Sequence, residues 1–394
     1  MRASSTHHYI FPWYCCARIR NDWTAHCPAL LSLLSESKTL HRLLLATNAS
    51  DRCHTSSFSG CADGKTMTAT PAAVPVFPLA NLEQHVEALR AACHETGLFY
   101  LRLDDAEACE RCAAAAIEFF DGDEETKAAC SYEESPAFRG YMKLGVENTA
   151  GVVDAREQIE LGREDGICDG VAQRLVGANR WPDDGGALQS ACEPWLASMS
   201  AAAARVTRAL SLGLGLAADA LDERVLGQAP HWQAKLASYP PNVGPGVGAH
   251  SDSGWLTLLW ADQPGLEAQL RTGEWVAVPP RDGAVAVNLG EMLQLASGGY
   301  YRATPHRVCN SVRRRLSLPF FWNPSLSAIV DVVCDPSALP WTRDRPPPER
   351  RHSLLRAYGA NAFKSLARSH PLVFARHHPD LCVLEDGTVA VRDV

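Results

Sequence analysis

Three residues in the 394-residue chain have the types and spacing to hold a metal ion: His250 and Asp252, two apart, and His306, 54 residues farther on. Two histidines and one carboxylate on one face of a metal leave neighbouring positions open, an arrangement suited to Fe(II) and oxidation chemistry. Neither half of the set is informative alone. In a chain with 14 histidines, about one His-x-Asp is expected by chance, and a second, His378-Pro-Asp380, is present. Order separates the two, because no histidine follows His378. Nine residues past His306 comes Arg315-Leu-Ser317. On an extended chain both side chains point the same way, and a guanidinium fork beside a hydroxyl is a receptor for a carboxylate. Arg-x-Ser recurs at Arg2/Ser4 and Arg351/Ser353, so its place after the metal-ligand set is what singles it out.

Taken together, His250-x-Asp252, His306 and Arg315-x-Ser317 resemble, in order and spacing, the Fe(II)/2-oxoglutarate-dependent oxygenases of the isopenicillin N synthase-like family. Further segments are similar: Ser238–Pro241 to the family's Tyr-Pro-Pro, Gly265–Trp275 and Val287–Gln294 to the stretches between the ligands, and Gly97–Tyr100 and Phe119–Lys127 to its N-terminal region. The likeness runs from about residue 74 to 380. Two positions depart from it. Ala237 stands where the family often has Asn, and Gly290-Glu-Met292 stands for the usual Gly-Asp-Met.

The resemblance implies Fe(II) held by His250, Asp252 and His306, with 2-oxoglutarate as co-substrate and ascorbate as a candidate reductant. Arg315 and Ser317 would meet the distal carboxylate of 2-oxoglutarate, with Tyr239 as a hydroxyl partner. O2 would be consumed, succinate and CO2 released, and a small organic molecule hydroxylated or desaturated. Two rivals follow from the same residues. One is an iron oxidase that dispenses with 2-oxoglutarate and holds its substrate's carboxylate at Arg315/Ser317. The other is a metal-dependent binding or sensor protein without catalysis. Phe138, Arg139 and Tyr141 are read as loop anchors rather than substrate contacts, and Trp322 as either pocket lining or barrel packing.

The elements that must position these residues can be read from periodicity. Val74–Leu79 and Leu98–Leu103 read as strands, with an amphipathic helix over Leu82–Thr96 between them, stopped at Gly97. Ala106–Phe120 and Glu124–Ala129 read as helices, Gln158–Leu161 as a strand. Glu193–Leu216 is the longest helical stretch, with its proline in the tolerant first turn. After Pro230, short sheet-forming runs punctuated by turn residues read as strands: Trp232–Tyr239, Trp255–Trp260, Leu266–Leu270, Trp275–Val278, Ala284–Asn288, His306–Asn310 and Arg315–Trp322. This spacing predicts a barrel or jelly roll. Joined to the resemblance, the expected fold is mainly β with flanking helices: a double-stranded β-helix (jelly-roll) core over 191–341, preceded by an N-terminal α/β region over 74–190. Residues 342–394 read as a charged, proline-rich linker, a helix near Leu354–Arg368, and a hairpin turning at Asp386-Gly387.

Composition narrows the partners. A net charge of -8 lacks the basic footprint of a nucleic-acid binder, and no apolar run approaches the roughly 20 residues that span a bilayer. A small molecule is the expected partner and a monomer the expected state. Fourteen scattered cysteines in a long chain are unlike a disulfide scaffold and fit reduced thiols in the cytoplasm. The lone Cys109-x-x-Cys112 has no second pair to complete a zinc site. Residues 1–66 differ from the rest, with five cysteines, five histidines and no sustained periodicity. They read as a disordered extension, a misassigned start ahead of Met67, or a transit peptide, the last of which would imply an organelle.

Overall fold

The computed structural model describes residues 74–149, 152–166, 168–227, 229–340 and 354–392. The N-terminal extension, the 342–351 linker with its arginine cluster, and His352 lie outside them.

The described strands are two to nine residues long. In chain order they are β1 (Val76–Pro78), β2 (Leu98–Arg102), β3 (Gly140–Met142), the small hairpin β4 (Asn148–Thr149) and β5 (Val152–Val153), β6 (Glu157–Gly162), β7 (His231–Tyr239), β8 (Val247–His250), β9 (Leu256–Ala261), β10 (Leu266–Gln269), β11 (Trp275–Ala277), β12 (Ala284–Leu289), β13 (His306–Val308), β14 (Arg315–Asn323), and the closing hairpin β15 (Leu381–Val383) and β16 (Val389–Val391). Among the described residues seven α-helices accompany them: α1 (Val86–Glu95), α2 (Glu107–Asp121), α3 (Glu124–Ala129), α4 (Ala187–Gly213), α5 (Glu291–Ala296), α6 (Tyr358–Ser369) and α7 (Pro371–His377).

Two sheets face each other. The larger has eight strands in the order β1-β2-β12-β9-β14-β7-β6-β3, and the smaller has four, β11-β10-β13-β8. This is the jelly roll expected from the strand spacing. The N-terminal region is woven into it, since β2 pairs with β12 and β6 with β7 in the same sheet.

Period-two alternation then decides which side chains meet which layer. On β14, Leu316, Leu318, Phe320 and Trp322 enter the main apolar core with residues of α1, α2 and α4. Their neighbours Ser317, Pro319 and Phe321 line the space on the other face. On β7, Ala234 and Leu236 join the core, while Lys235 and Tyr239 line that space. A one-residue slip would exchange every pair, so burial of one face fixes the register.

Several element bounds differ from expectation for identifiable reasons. The longest helix starts at Ala187, not near Glu193, so Pro194 lies inside α4 and not in its first turn. The Asp184 carboxylate draws the start forward by accepting from the backbone N–H groups of Gly186, Ala187 and Leu188. The helix predicted over Leu82–Thr96 opens as a 3-10 segment, Leu79–His85, before α1 begins. Gly97 does end it, at φ +64; a Cβ there would stand 1.9 Å from the Arg302 carbonyl oxygen. The helix expected near Leu354–Arg368 is α6, which starts later, at Tyr358, and a further helix not expected from sequence, α7, follows a break at His370–Pro371, where proline cannot continue the hydrogen-bond ladder.

Candidate metal centre and its cavity

His250 ends β8 and His306 begins β13, and the two are direct partners across that antiparallel pair. Their rings lie 4.4 Å apart between centroids. Each Nδ1 sits against a backbone carbonyl, Gly248 O at 2.8 Å and Thr304 O at 2.9 Å. A carbonyl can only accept, so Nδ1 carries the proton and Nε2 keeps its lone pair, the tautomer that binds metals. Both Nε2 atoms face one oxygen of Asp252, Oδ1, at 3.5 Å and 3.7 Å. The ligand atoms of all three residues lie within 4.8 Å of one another, and no other such trio of histidine, cysteine or acidic groups occurs among the described residues.

Asp252 lies beyond the strand, in the turn to β9, and its second oxygen fixes it. Oδ2 accepts from Thr257 Oγ1 at 2.5 Å and Asn288 Nδ2 at 2.8 Å. Thr257 and Asn288 are themselves cross-strand partners on β9 and β12. Burial pushes the Asp252 carboxyl up, but His306, His250 and the Thr257 hydroxyl outweigh it and hold the group well below the usual carboxylate range. Periodicity gives no hint of Thr257 and Asn288 as partners, because the contact exists only once the sheet has formed.

The backbone of the turn is clamped as well. The start of α5 donates three N–H groups to it: Gly290 to Trp255 O (2.8 Å), Glu291 to Asp252 O (2.8 Å) and Met292 to Gly254 O (2.9 Å). The segment supplies main-chain donors here, so its departure from Gly-Asp-Met leaves the clamp intact. A Cβ on Gly290 would lie 2.2 Å from Gly254 O. Gly290→Ala is therefore expected to destabilise the protein by about 1–3 kcal/mol, read as a lower urea midpoint, and to reduce iron retention measured by metal analysis.

On β14, Arg315 and Ser317 are both about 1% exposed. Arg315 donates Nε to Gln263 O at 3.2 Å, but its Nη1 and Nη2, and Ser317 Oγ, have no hydrogen-bond partner of good geometry. Buried donors left so are costly, and a carboxylate would satisfy them. Tyr239 is the cross-strand partner of Arg315, which stacks over its ring at 5.0 Å. The Tyr239 hydroxyl accepts from Arg156 Nη1 at 3.4 Å. Burial pushes that phenol up, but the Arg156 and Arg315 guanidiniums outweigh it and draw it down. Arg156 was not among the residues expected from sequence; it is held by Glu147 at 2.6 Å and Asp154 at 3.2 Å.

The remaining sequence candidates are structural. Arg139 is fully buried and donates to the Leu161 and Leu175 carbonyls, and Tyr141 donates to Glu157. Phe138 packs against Phe363. Trp322 faces the apolar core, stacked on Phe320. In the decoy His378-Pro-Asp380, His378 meets Pro136 O and Arg174, and Asp380 pairs with Arg174. Cys109 and Cys112 are buried in α2, Cys112 against Cys192.

Comparison with known proteins places this site in a family. Residues 230–324 match the 2OG-Fe(II) oxygenase superfamily, and residues 74–184 match the region described as non-haem dioxygenase in morphine synthesis N-terminal. A homoarginine-6-hydroxylase of Oryza sativa subsp. japonica, 2-ODD-233, is 31% identical over 269 residues, covering 64% of this chain and 81% of that protein. The chain belongs to the Fe(II)/2-oxoglutarate oxygenase superfamily. Among solved structures, JOX2 in complex with 2OG, Fe and JA is 27% identical, with TM-score 0.58 over 66% of this chain and 77% of that one. Neurospora crassa T7H in complex with alpha-KG and thymine shares the fold at 21% identity, TM-score 0.61, over 75% and 96% of the two chains. The oxygenase is thus an oxidoreductase that uses Fe(II) and 2-oxoglutarate to oxidise a small molecule, the first of the three activities expected from its sequence. No described helix is long and apolar enough to cross a membrane.

Proposed function

We propose that His250, Asp252 and His306 hold the Fe(II), that Arg315 and Ser317 receive the distal carboxylate of 2-oxoglutarate beside the Tyr239 hydroxyl, and that the oxygenase hydroxylates a small organic molecule. The observation that carries this is the pair of imidazole Nε2 lone pairs turned toward one oxygen of a carboxylate whose other oxygen is already occupied by the chain. When bound, Fe(II) and 2-oxoglutarate supply oxidising power from O2, with release of succinate and CO2.

The chain's own task is to orient and to exclude. Gly248 and Thr304 carbonyls fix the imidazole planes, and Thr257 and Asn288 hold the carboxylate. Val247, Leu259, Leu266 and Val308 give the cavity an apolar side, which keeps water from competing for the reacting carbon. Hydroxylation, rather than desaturation, is supported by the rice relative, which is named a hydroxylase. Cys93, Cys109, Cys112, Cys130, Cys168 and Cys192 are buried thiols, which supports a reducing compartment such as the cytosol.

The test is succinate formation by protein loaded with Fe(II), with and without 2-oxoglutarate, across a panel of small metabolites. Stimulation by a metabolite, strictly dependent on both iron and 2-oxoglutarate, with a product heavier by one oxygen atom, is expected. A product lighter by two hydrogens would replace hydroxylation by desaturation.

A further inference from the structure

Tyr239 stands between two buried arginines. On one side it is the cross-strand partner of Arg315. On the other, Arg156 directly precedes β6, whose first residue, Glu157, pairs with Ser238, and its Nη1 reaches the Tyr239 hydroxyl at 3.4 Å. Arg156 and Tyr239 are 9% and 5% exposed, and both line the cavity beside the metal cluster. Ala237, two residues back on the same face of β7, carries no hydrogen-bonding side chain, so polar support for the phenol comes from the neighbouring strands.

A clamp sets the direction of Arg156. Its Nη2 donates to Glu147 Oε2 at 2.6 Å and to Asp154 Oδ2 at 3.2 Å. Both acceptors are secured in turn. Glu147 also accepts from Lys235 at 2.9 Å and Gln158 at 2.7 Å, and Asp154 from Thr149 at 2.9 Å. These carboxylates balance the charge of Arg156, so what it adds at Tyr239 is direction more than attraction. With one arm of the guanidinium fork spent on the clamp, the other is aimed at the phenol. A guanidinium can only donate, so the phenol oxygen accepts from it, and the phenol's own proton is turned elsewhere. Arg315 cannot take that proton in a hydrogen bond either. A carboxylate held by Arg315 and Ser317, whose donors make no bond of good geometry within the chain, can.

We infer that Arg156 is a positioning residue for the co-substrate: it holds the Tyr239 oxygen as an acceptor and so turns the phenol's proton toward the distal carboxylate of 2-oxoglutarate. The receptor for that carboxylate then spans both matched regions, with Arg156 from residues 74–184 and Tyr239, Arg315 and Ser317 from residues 230–324. The inference rests on the placing of that carboxylate at Arg315 and Ser317 proposed above.

Calorimetric titration of the Fe(II)-loaded protein, without oxygen, tests it. The probes are 2-oxoglutarate and 2-oxobutyrate, which share the oxo-acid end and differ in the distal carboxylate. Arg156→Gln is expected to weaken 2-oxoglutarate about tenfold, with 2-oxobutyrate affinity and iron content unchanged. Tyr239→Phe should cost at least as much, and in that background Arg156→Gln should cost less than about twofold. A merely structural role would give the same loss in both backgrounds and for both probes. Arg156→Lys serves should Arg156→Gln not fold. It keeps a charge for Glu147 and Asp154 but lacks the second arm, and should reproduce the loss. Unchanged 2-oxoglutarate affinity in the Arg156 variant that folds, a loss that persists in full without the Tyr239 hydroxyl, or one shared equally by both probes would overturn the assignment. Arg315→Leu separates this inference from the reading beneath it. If that variant also binds 2-oxoglutarate unimpaired, the carboxylate lies elsewhere and both fall. If it is weakened while the Arg156 variant is not, only the role of Arg156 falls.

Discussion

Replacing Asp252 with alanine is expected to strip the oxygenase of iron and to lower substrate-stimulated succinate formation by more than about 100-fold. Loss of an outer partner of a metal ligand already costs about 10- to 100-fold in affinity or activity, and here a ligand itself is removed. The two imidazoles that remain are neutral and lie on adjacent strands, so nothing on that face balances the charge of the ion. The change also leaves the Thr257 hydroxyl and Asn288 amide, which both donate to Asp252 Oδ2, without their acceptor. Metal analysis of the purified variant and a succinate assay read the result together. A folded Asp252→Ala protein that keeps one iron per chain and turns over at the natural rate would overturn the ligand assignment.

Arg315→Leu should act on a different constant. Arg315 is buried, with two terminal nitrogens that make no hydrogen bond of good geometry within the chain, and leucine keeps much of its volume without its charge. Truncating one side of a buried, hydrogen-bonded charge pair costs about 2–5 kcal/mol, which corresponds to about 30- to 5000-fold in affinity. The expected result is a rise of that order in the KM for 2-oxoglutarate, with iron content unchanged. Ser317→Ala should move the same constant by a smaller factor, since a neutral hydroxyl gives a weaker bond than a guanidinium. An Arg315→Leu enzyme with its KM for 2-oxoglutarate intact would place the distal carboxylate elsewhere.

How far these residues could be read from the sequence depends on what holds each in place. His250, Asp252, His306, Arg315 and Ser317 are visible because they follow one another in a set order and spacing, although neither half of the set is informative alone. The strands that carry them are visible where alternation is strong, as in Leu316, Leu318 and Phe320 against Ser317 and Pro319. Strand β8 is not visible. Val247-Gly-Ala-His250 has only one branched residue, and it is a strand because it pairs with β13, a contact made across more than 50 residues of chain. The same limit hides Thr257, Asn288 and Arg156, whose roles arise from cross-sheet geometry. Helix α5 is hidden by its brevity, six residues, although the N–H groups of Gly290, just before it, and of its first two residues clamp the Asp252 turn. Pro194 misled in the opposite direction. Proline favours a first turn, but the Asp184 cap set the start of α4 earlier than propensity alone would.

The weaving of β2 and β6 into the larger sheet has a consequence for dissecting the enzyme. The strands that carry Arg315, Ser317, Tyr239 and the two hydrogen-bond partners of Asp252, namely β14, β7, β9 and β12, are interior to that sheet, bordered by β2 on one side and β6 on the other. A fragment cut to the metal-bearing half would expose the backbone of β12 and β7 as two raw margins, each a template for pairing with another molecule. Such a fragment is expected to aggregate, read as a high-molecular-weight fraction in size-exclusion chromatography. The polypeptide ahead of the proposed iron ligands is therefore not an accessory that can be exchanged among relatives by simple splicing. It supplies the selvedge of the fabric on which the reaction is carried out, and a chimera would have to inherit both borders with the strands they finish.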